Sequence, residues 1–227
     1  MMLTILFVET SLELVPRSII RHPSVTRNAK RENKRPSEMI LDRSLHHHAM
    51  LSLPESEKRG RPDILHFCLL EALGSPLNKR GNLSLYAHTL NEVALSFSQE
   101  LRLPRDCYRF RSLMEQLLIS GQVPPAPEKP LVVAKEKQLH QIKNELQPSR
   151  TIALTSNGHL EQLPALCKRL SEEKNPLVFI GAYPNGAMRL ETLAEADERI
   201  SIYPETLEAW TVVSRLIYEY EKTLTAA

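Results

Sequence analysis

Three segments in the last third of the chain decide how it folds: Thr151-Ile-Ala-Leu-Thr-Ser-Asn-Gly158, Leu177-Val-Phe-Ile-Gly-Ala-Tyr-Pro-Asn-Gly186 and Ile200-Ser-Ile-Tyr-Pro-Glu-Thr-Leu207. Each is an apolar run of strand length that ends in a loop of small or polar residues. The last leads into an amphipathic stretch. Glycine is scarce, seven in 227 residues, yet Gly158, Gly181 and Gly186 fall within or at the ends of these loops. Glycine permits a backbone at positive φ and lets main chain approach a ligand closely. Three such loops at the ends of buried strands predict a small-molecule pocket built largely from main chain.

Outward from these segments, strand, helix and strand alternate over 151–155, 159–172, 177–181, 199–203 and 206–222, the pattern of a parallel sheet. At the other end Leu3–Val8 reads as a buried strand. The start lacks a basic leader and a cleavage site, so it reads as a first strand and not as a signal peptide. Met39–Asp42 is a weak second strand. Arg61-Pro62-Asp63 carries helix-start signals ahead of a helix to Leu73, and Gly74-Ser-Pro76 stops it. Leu83–His88 and Glu92–Phe97 alternate with period two around Thr89-Leu-Asn-Glu92, so 83–97 reads as an inserted β-hairpin. Tyr108–Ile119 is amphipathic, Pro124–Pro130 is a connector and Glu136–Leu146 a further helix. No internal repeat is present, and residues 1–227 read as one α/β domain.

An apolar content of 42% and a charged content of 25% are ordinary for a globular protein. The longest apolar runs are of strand length, too short to span a membrane. Cys68, Cys107 and Cys167 are odd in number and far apart. They suggest neither a disulfide framework nor a zinc site, and fit a reducing cytoplasm. Net charge is only +2, but it is unevenly spread. Arg17, Arg21, Arg27, Lys30, Arg31, Lys34 and Arg35 face Glu32 alone. Lys58, Arg59 and Arg61 form a second group, and Arg102, Arg105, Arg109 and Arg111 a third. Such clustering points to a polyanion partner. Residues 17–37 read as a mobile segment or one ordered by that partner.

The first strand is followed by Glu9-Thr-Ser-Leu-Glu-Leu14, without glycine, which argues against an ordinary dinucleotide site. GxxxxGK[ST] is absent, which argues against a P-loop. The C-terminal layout resembles the SPOUT methyltransferases, whose chain threads a trefoil knot around S-adenosylmethionine. Ile40-Leu-Asp-Arg-Ser-Leu-His-His-His-Ala-Met50, Arg59-Gly-Arg-Pro-Asp-Ile64, Ser75-Pro-Leu-Asn78, Leu85-Tyr-Ala-His-Thr89, Leu103-Pro-Arg-Asp-Cys-Tyr-Arg-Phe110 and Ile200-Ser-Ile-Tyr203 leading to Ala209-Trp-Thr211 narrow the likeness. They resemble the pseudouridine-N1 methyltransferases of small-subunit ribosomal RNA, which are ribosome-biogenesis factors, and the chain looks like an archaeal member. The resemblance is weakest over 17–37 and 121–150.

The resemblance implies an α/β-knot fold with residues 150–222 as the knotted cofactor-binding region, and a homodimer with RNA across a basic surface. It implies that Thr155, Gly181, Gly186, Ser201, Ile202 and Leu207 surround S-adenosylmethionine, with Ala182 and Ala209 beside them. Arg59, Arg61, Arg102, Arg105 and Arg109 are the RNA candidates, because a guanidinium fork suits phosphate. The alternative for one of these arginines is pairing within the protein, with Glu100, Asp106 or Glu115, and Arg111 of the third basic group is best suited to it. Asp63, taken with Arg61 as the catalytic pair, has three readings: a helix cap, an orienting group for the target base, or a holder of an RNA-binding arginine. A general base is disfavoured, since an ordinary carboxylate is poorly matched to a weakly acidic N–H. His46-His47-His48 cannot all face one ion in a regular element, so no metal is expected. Trp210 lies with Leu207, Val213, Ile217 and Tyr220 at helical spacing, a core or dimer face. Two further functions remain open from the residues: an RNA-binding assembly factor whose methyl transfer is dispensable, and a SPOUT enzyme acting on transfer RNA.

Overall fold

The computed structural model describes residues 2–225. Strand β1 (Leu3–Thr10) is buried at every residue, which requires cover on both faces and neighbours on both edges. Its side chains alternate between two cores, Ile5 and Phe7 on one face, Leu6 and Val8 on the other. Both neighbours are parallel to it: β2 (Leu83–Thr89) on one side and β7 (Pro176–Gly181) on the other. Beyond β7 lie β6 (Arg150–Leu160) and then β8 (Glu198–Ser201), also parallel. Beyond β2 the sheet turns antiparallel through β3 (Val93–Phe97), β5 (Val132–Glu136) and β4 (Gln122–Val123). The order across the eight strands is β4-β5-β3-β2-β1-β7-β6-β8.

Helices α3 (Pro62–Gly74), α5 (Cys107–Ser120), α7 (Leu163–Glu172) and α9 (Ala209–Thr225) cover one face. They bury Leu65, Leu69, Phe110, Met114, Leu166, Leu170, Leu216 and Tyr220 against Ile5, Phe7, Val178 and Ile180. The short α4 (Pro76–Lys79) follows α3, and Ser75 caps it by accepting from the Asn78 N–H. Helices α6 (Leu139–Leu146) and α8 (Leu190–Ala194) cover the other face, over Leu6, Val8, Ala153, Leu177 and Phe179.

A third, smaller core corrects one expectation. Residues 17–37 are not a mobile segment. They contain α1 (Pro23–Glu32), whose Val25 and Ala29 pack with Ile19, Met39, Leu41, Ala49, Met50 and Leu53. Helix α2 (Arg43–Met50) spans the three histidines, with the Asp42 carboxylate accepting from the Ser44 N–H at its start. Met39–Asp42 therefore makes no strand, only a single bridge from Ile40 to Leu14. Residues 132–136 form β5, so the helix expected from Glu136 begins at Leu139.

The hairpin over 83–97 is formed, with Ala87 opposite Leu95, and its first strand is also the parallel partner of β1. β6 runs on to Leu160, beyond the expected 155, because it bends round β8. Leu154 and His159 both lie opposite Ile200, and the chain between them loops past that residue. At Gly158 the two backbones touch: a Cβ there would sit 2.5 Å from the Ile200 carbonyl carbon.

Candidate functional site

The carboxyl ends of β6, β7 and β8 lie side by side, where a parallel sheet places its ligands. The loops leaving them enclose a cavity of about 530 Å³, in the usual range for a cofactor-sized molecule. Thr155, Gly181, Gly186, Ser201, Ile202, Leu207 and Ala209 all line it. Ala182 does not. It is fully buried beneath the loop, its N–H donating to the Val8 carbonyl and its carbonyl accepting from the Ser11 N–H. Tyr203, Asn185, Glu208 and Ile64 also line the cavity and were not foreseen from sequence. Asn185, Tyr203 and Glu208 lie in the loops already singled out, so that signal could have been extended to them; Ile64 comes from the start of α3 and had no such signal.

The lining mixes apolar side chains, Leu154, Ile180, Ile200 and Val212, with polar ones, Thr155, Ser201, Tyr203, Glu205 and Glu208, around Gly181 and Gly186. Among the described residues the N–H groups of Gly186, Ala187 and Leu207 have no hydrogen-bond acceptor, which leaves donors free at the cavity edge. Gly181 keeps the wall thin: a Cβ there would meet the Tyr183 ring at 2.7 Å. Gly186 stands at φ +95°, which a side chain would strain. This chemistry suits a molecule with a polar heterocycle and an apolar edge, and the space suits S-adenosylmethionine.

Beneath the loop, Glu9 stands at φ +51° and is buried. One of its carboxylate oxygens accepts from Lys58 Nζ at 2.5 Å and the other from the Arg189 N–H at 2.6 Å. Lys58 in turn lies 4.6 Å from the centre of the Tyr183 ring. Arg189 also pairs with Glu55. The loop after β7 is thus tied to residues 55–61.

Those residues carry two arginines of opposite fate. Arg59 is buried, and its Nε and Nη2 donate to the two carboxylate oxygens of Glu13 at 2.7 and 2.5 Å. Its fork is used inside the protein. Arg61 is partly exposed and grips Asp63, Nε to Oδ1 and Nη2 to Oδ2 both at 2.8 Å. The hydrogen bonds that Arg61 donates to the Asp63 carboxylate hold its pKa above the ordinary value. Asp63 makes no cap; of its three readings, the arginine holder is the contact present. Ile64 and Glu208 both line the cavity, and the Glu208 charge also acts on Arg61, so the Arg61–Asp63 pair stands at the rim.

Next to the rim, α5 begins at Asp106, whose carboxylate accepts from the Arg109 N–H at 2.9 Å. Arg102, Arg105 and Arg109 are exposed, and their guanidinium groups have no partner among the described residues. Arg111 does: Asp42 at 2.6 Å and Glu32 at 3.4 Å, an internal pairing as expected, but with these acids in place of Glu100, Asp106 or Glu115.

Of the three histidines only His46 is buried. Its Nδ1 accepts from the Asp42 N–H at 3.1 Å, and burial lowers its pKa. Among the described residues no group of three or more His, Cys, Asp or Glu side chains is placed to hold a metal ion. No helix there is long and apolar enough to cross a membrane. Trp210 is half-buried, edge-on to Phe67 at 5.3 Å, and Phe67 and Tyr218 leave large apolar surface on α3 and α9.

Comparison with known proteins agrees with this geometry. Residues 5–221 match the model of the family described as EMG1/NEP1 methyltransferase. The chain is 41% identical over 215 residues to the ribosomal RNA small subunit methyltransferase Nep1 of Staphylothermus marinus, covering 95% of this chain and 93% of that protein. It is 40% identical over 220 residues to the Nep1 of Thermococcus onnurineus, covering 97% and 98%. The crystal structure of Archaeoglobus fulgidus Nep1 bound to S-adenosylhomocysteine aligns over 99% of this chain and 100% of that one, with a TM-score of 0.87 at 37% identity. The expected mostly parallel sheet flanked by helices is the one observed, and the Archaeoglobus protein shares the fold. The chain belongs to the EMG1/NEP1 methyltransferase family.

Proposed function

We propose that this protein methylates the N1 ring nitrogen of a pseudouridine in small-subunit ribosomal RNA, with S-adenosylmethionine as donor, and acts in ribosome assembly in the cytoplasm. The observation that carries the reading is the juxtaposition of a cofactor-sized cavity at the ends of β6, β7 and β8 with an Arg61–Asp63 pair at its rim.

Bound S-adenosylmethionine supplies a methyl group on a sulfonium, already a good leaving group. The work left to the protein is alignment and exclusion of water. The free amides of Gly186, Ala187 and Leu207 would bind polar edges of the donor, and Leu154, Ile180 and Val212 its apolar ones. Arg61, Arg102, Arg105 and Arg109 would hold RNA phosphates beside the rim. The target base has to leave its stack to reach the cavity. Asp63 fixes the Arg61 fork in the plane a phosphate oxygen pair requires and orients the base through its N–H. The apolar surface of Phe67, Trp210 and Tyr218 fits a homodimer.

The test is direct. Calorimetry should show binding of S-adenosylmethionine or its homocysteine product. Mass analysis of a short RNA hairpin should then show a methyl group added only when the hairpin contains pseudouridine. Methylation of a uridine hairpin would refute the specificity, and no binding of either ligand would refute the site.

A further inference from the structure

Helix α1 presents a charge pattern that the cavity does not use. Arg27, Lys30 and Arg31 are exposed, at spacings that share one helical stripe. Arg17 and Arg21 lead into it and Arg35 follows. The one acid of residues 17–35, Glu32, does not neutralise them. Its side chain is 8% exposed and turned inward to Arg111 and Lys34. Among the described residues Arg17, Arg21, Arg27 and Lys30 have no side-chain partner. Arg31 donates only to Asn28, at 2.7 Å, and Arg35 pairs only with an exposed Glu38.

The stripe is continuous with α5. Lys34 donates to Glu115 at 2.6 Å and lies 5.6 Å from the centre of the Tyr108 ring, and Arg111 lies 5.5 Å from the same ring. Tyr108 is 52% exposed, and its neighbour in the chain is Arg109. A basic surface therefore runs from α1, about 15 Å long, across an exposed aromatic ring to Arg105 and Arg109.

We infer that α1 is a second RNA-docking surface, which takes the phosphate backbone of the strand flanking the target nucleotide, with Tyr108 at the join offering its ring to an unpaired base. The inference rests on the RNA methylation reading above. Three observations favour RNA over an acidic protein. The cations are mostly guanidinium groups, suited to phosphate. An exposed ring among cations is the arrangement on which single-stranded bases stack. The surface continues the arginine edge at the cavity rim.

The test compares wild type with an R21A/R27A/K30A variant, chosen because none of the three side chains has a partner inside the fold. Binding is measured against salt for two RNAs: the minimal target hairpin, and a longer ribosomal fragment with single-stranded flanks. Three lost phosphate contacts at roughly 0.7 each should make the slope of log affinity against log salt shallower by about 2. That change is expected on the long fragment only, with cofactor affinity and thermal midpoint unchanged. Equal slopes for variant and wild type on the long fragment would overturn the inference while leaving methylation of the hairpin intact. Equal slopes on naked RNA with weaker binding to assembled small-subunit particles would assign the surface to a ribosomal protein and also overturn it. Wild type binding neither RNA would remove the RNA reading itself, and this inference with it.

Discussion

The loops after β6, β7 and β8 and the layer of α1, α2 and the start of α5 meet at α3, and they are built by opposite means. The loops make a cavity from glycines, small side chains and unpaired amides. The helical layer makes a charged face. Its inward charges are matched in pairs, Arg59 with Glu13, Arg111 with Asp42, Lys34 with Glu115, while among the described residues its outward Arg17, Arg21, Arg27, Arg105 and Arg109 have no side-chain partner. The glycine wall tolerates no added bulk. A charged face tolerates no lost partner, but only where the partner is buried.

The sharpest test of that division is Arg59 against Arg61, two residues apart in one motif. Arg59→Ala leaves the Glu13 carboxylate buried with Asn91 as its remaining side-chain donor. Removing one partner of a buried pair costs about 3–5 kcal/mol. Arg61→Ala breaks a pair open to water, worth under about 1 kcal/mol. Denaturant unfolding should therefore show a large loss for Arg59→Ala and almost none for Arg61→Ala, whose effect should appear in RNA affinity. Equal losses would erase the distinction between inward and outward charge.

Next in size is Gly181→Val. The added side chain would drive into the Tyr183 ring on the cavity wall. Cofactor affinity should fall at least tenfold, about 1.4 kcal/mol, with the fold retained and RNA affinity unchanged. A parallel loss of RNA affinity would show that the two regions are not independent.

Asp63→Asn probes the boundary between them. Asn keeps the size and one acceptor oxygen but drops the charge that grips Arg61. Single-turnover methylation at saturating RNA should remain measurable, with weaker RNA binding. Near-total loss of rate at normal RNA affinity would instead make the carboxylate the base.

The smallest effect is electrostatic and is centred on the helical layer. Burial lowers the His46 pKa below its ordinary 6.5, against the opposing Asp42 charge. The unfolded chain then takes up the proton first, so stability falls as pH drops below 6.5 toward the folded value. His88 acts in the same direction. His46→Gln should lose less stability than wild type when unfolding is repeated on either side of that pH. An unchanged difference would mean His46 is not buried neutral.

The cavity was legible because it is local. Each strand carries its own apolar run and its own loop residues, so the loops of Gly181 and Gly186 could be read from neighbours in the chain, while Ser201 came only with the family resemblance. The helical layer was not legible, because its supports are distant. Helix α1 offers only Val25 and Ala29 to a core, too few to suggest order until Met39, Leu41 and Met50 are folded against them. Arg59 looked like its neighbour Arg61 because Glu13 lies far away in sequence. β5 was hidden by the charged Lys135-Glu136-Lys137, which fits a helix start as well as a solvent-edge strand. Ala182 was misplaced by one step: beside Gly181 in sequence, it faces the core in the pleat.

The bend of β6 round Ile200 has a consequence in time. Ile200 of β8 lies opposite both Leu154 and His159, so this edge is complete only when all three segments have met. Pairings between distant segments form slowly, and a chain leaving the ribosome folds from its beginning. The charged layer, complete by residue 120, can therefore be in place while the cavity still waits for its last strand.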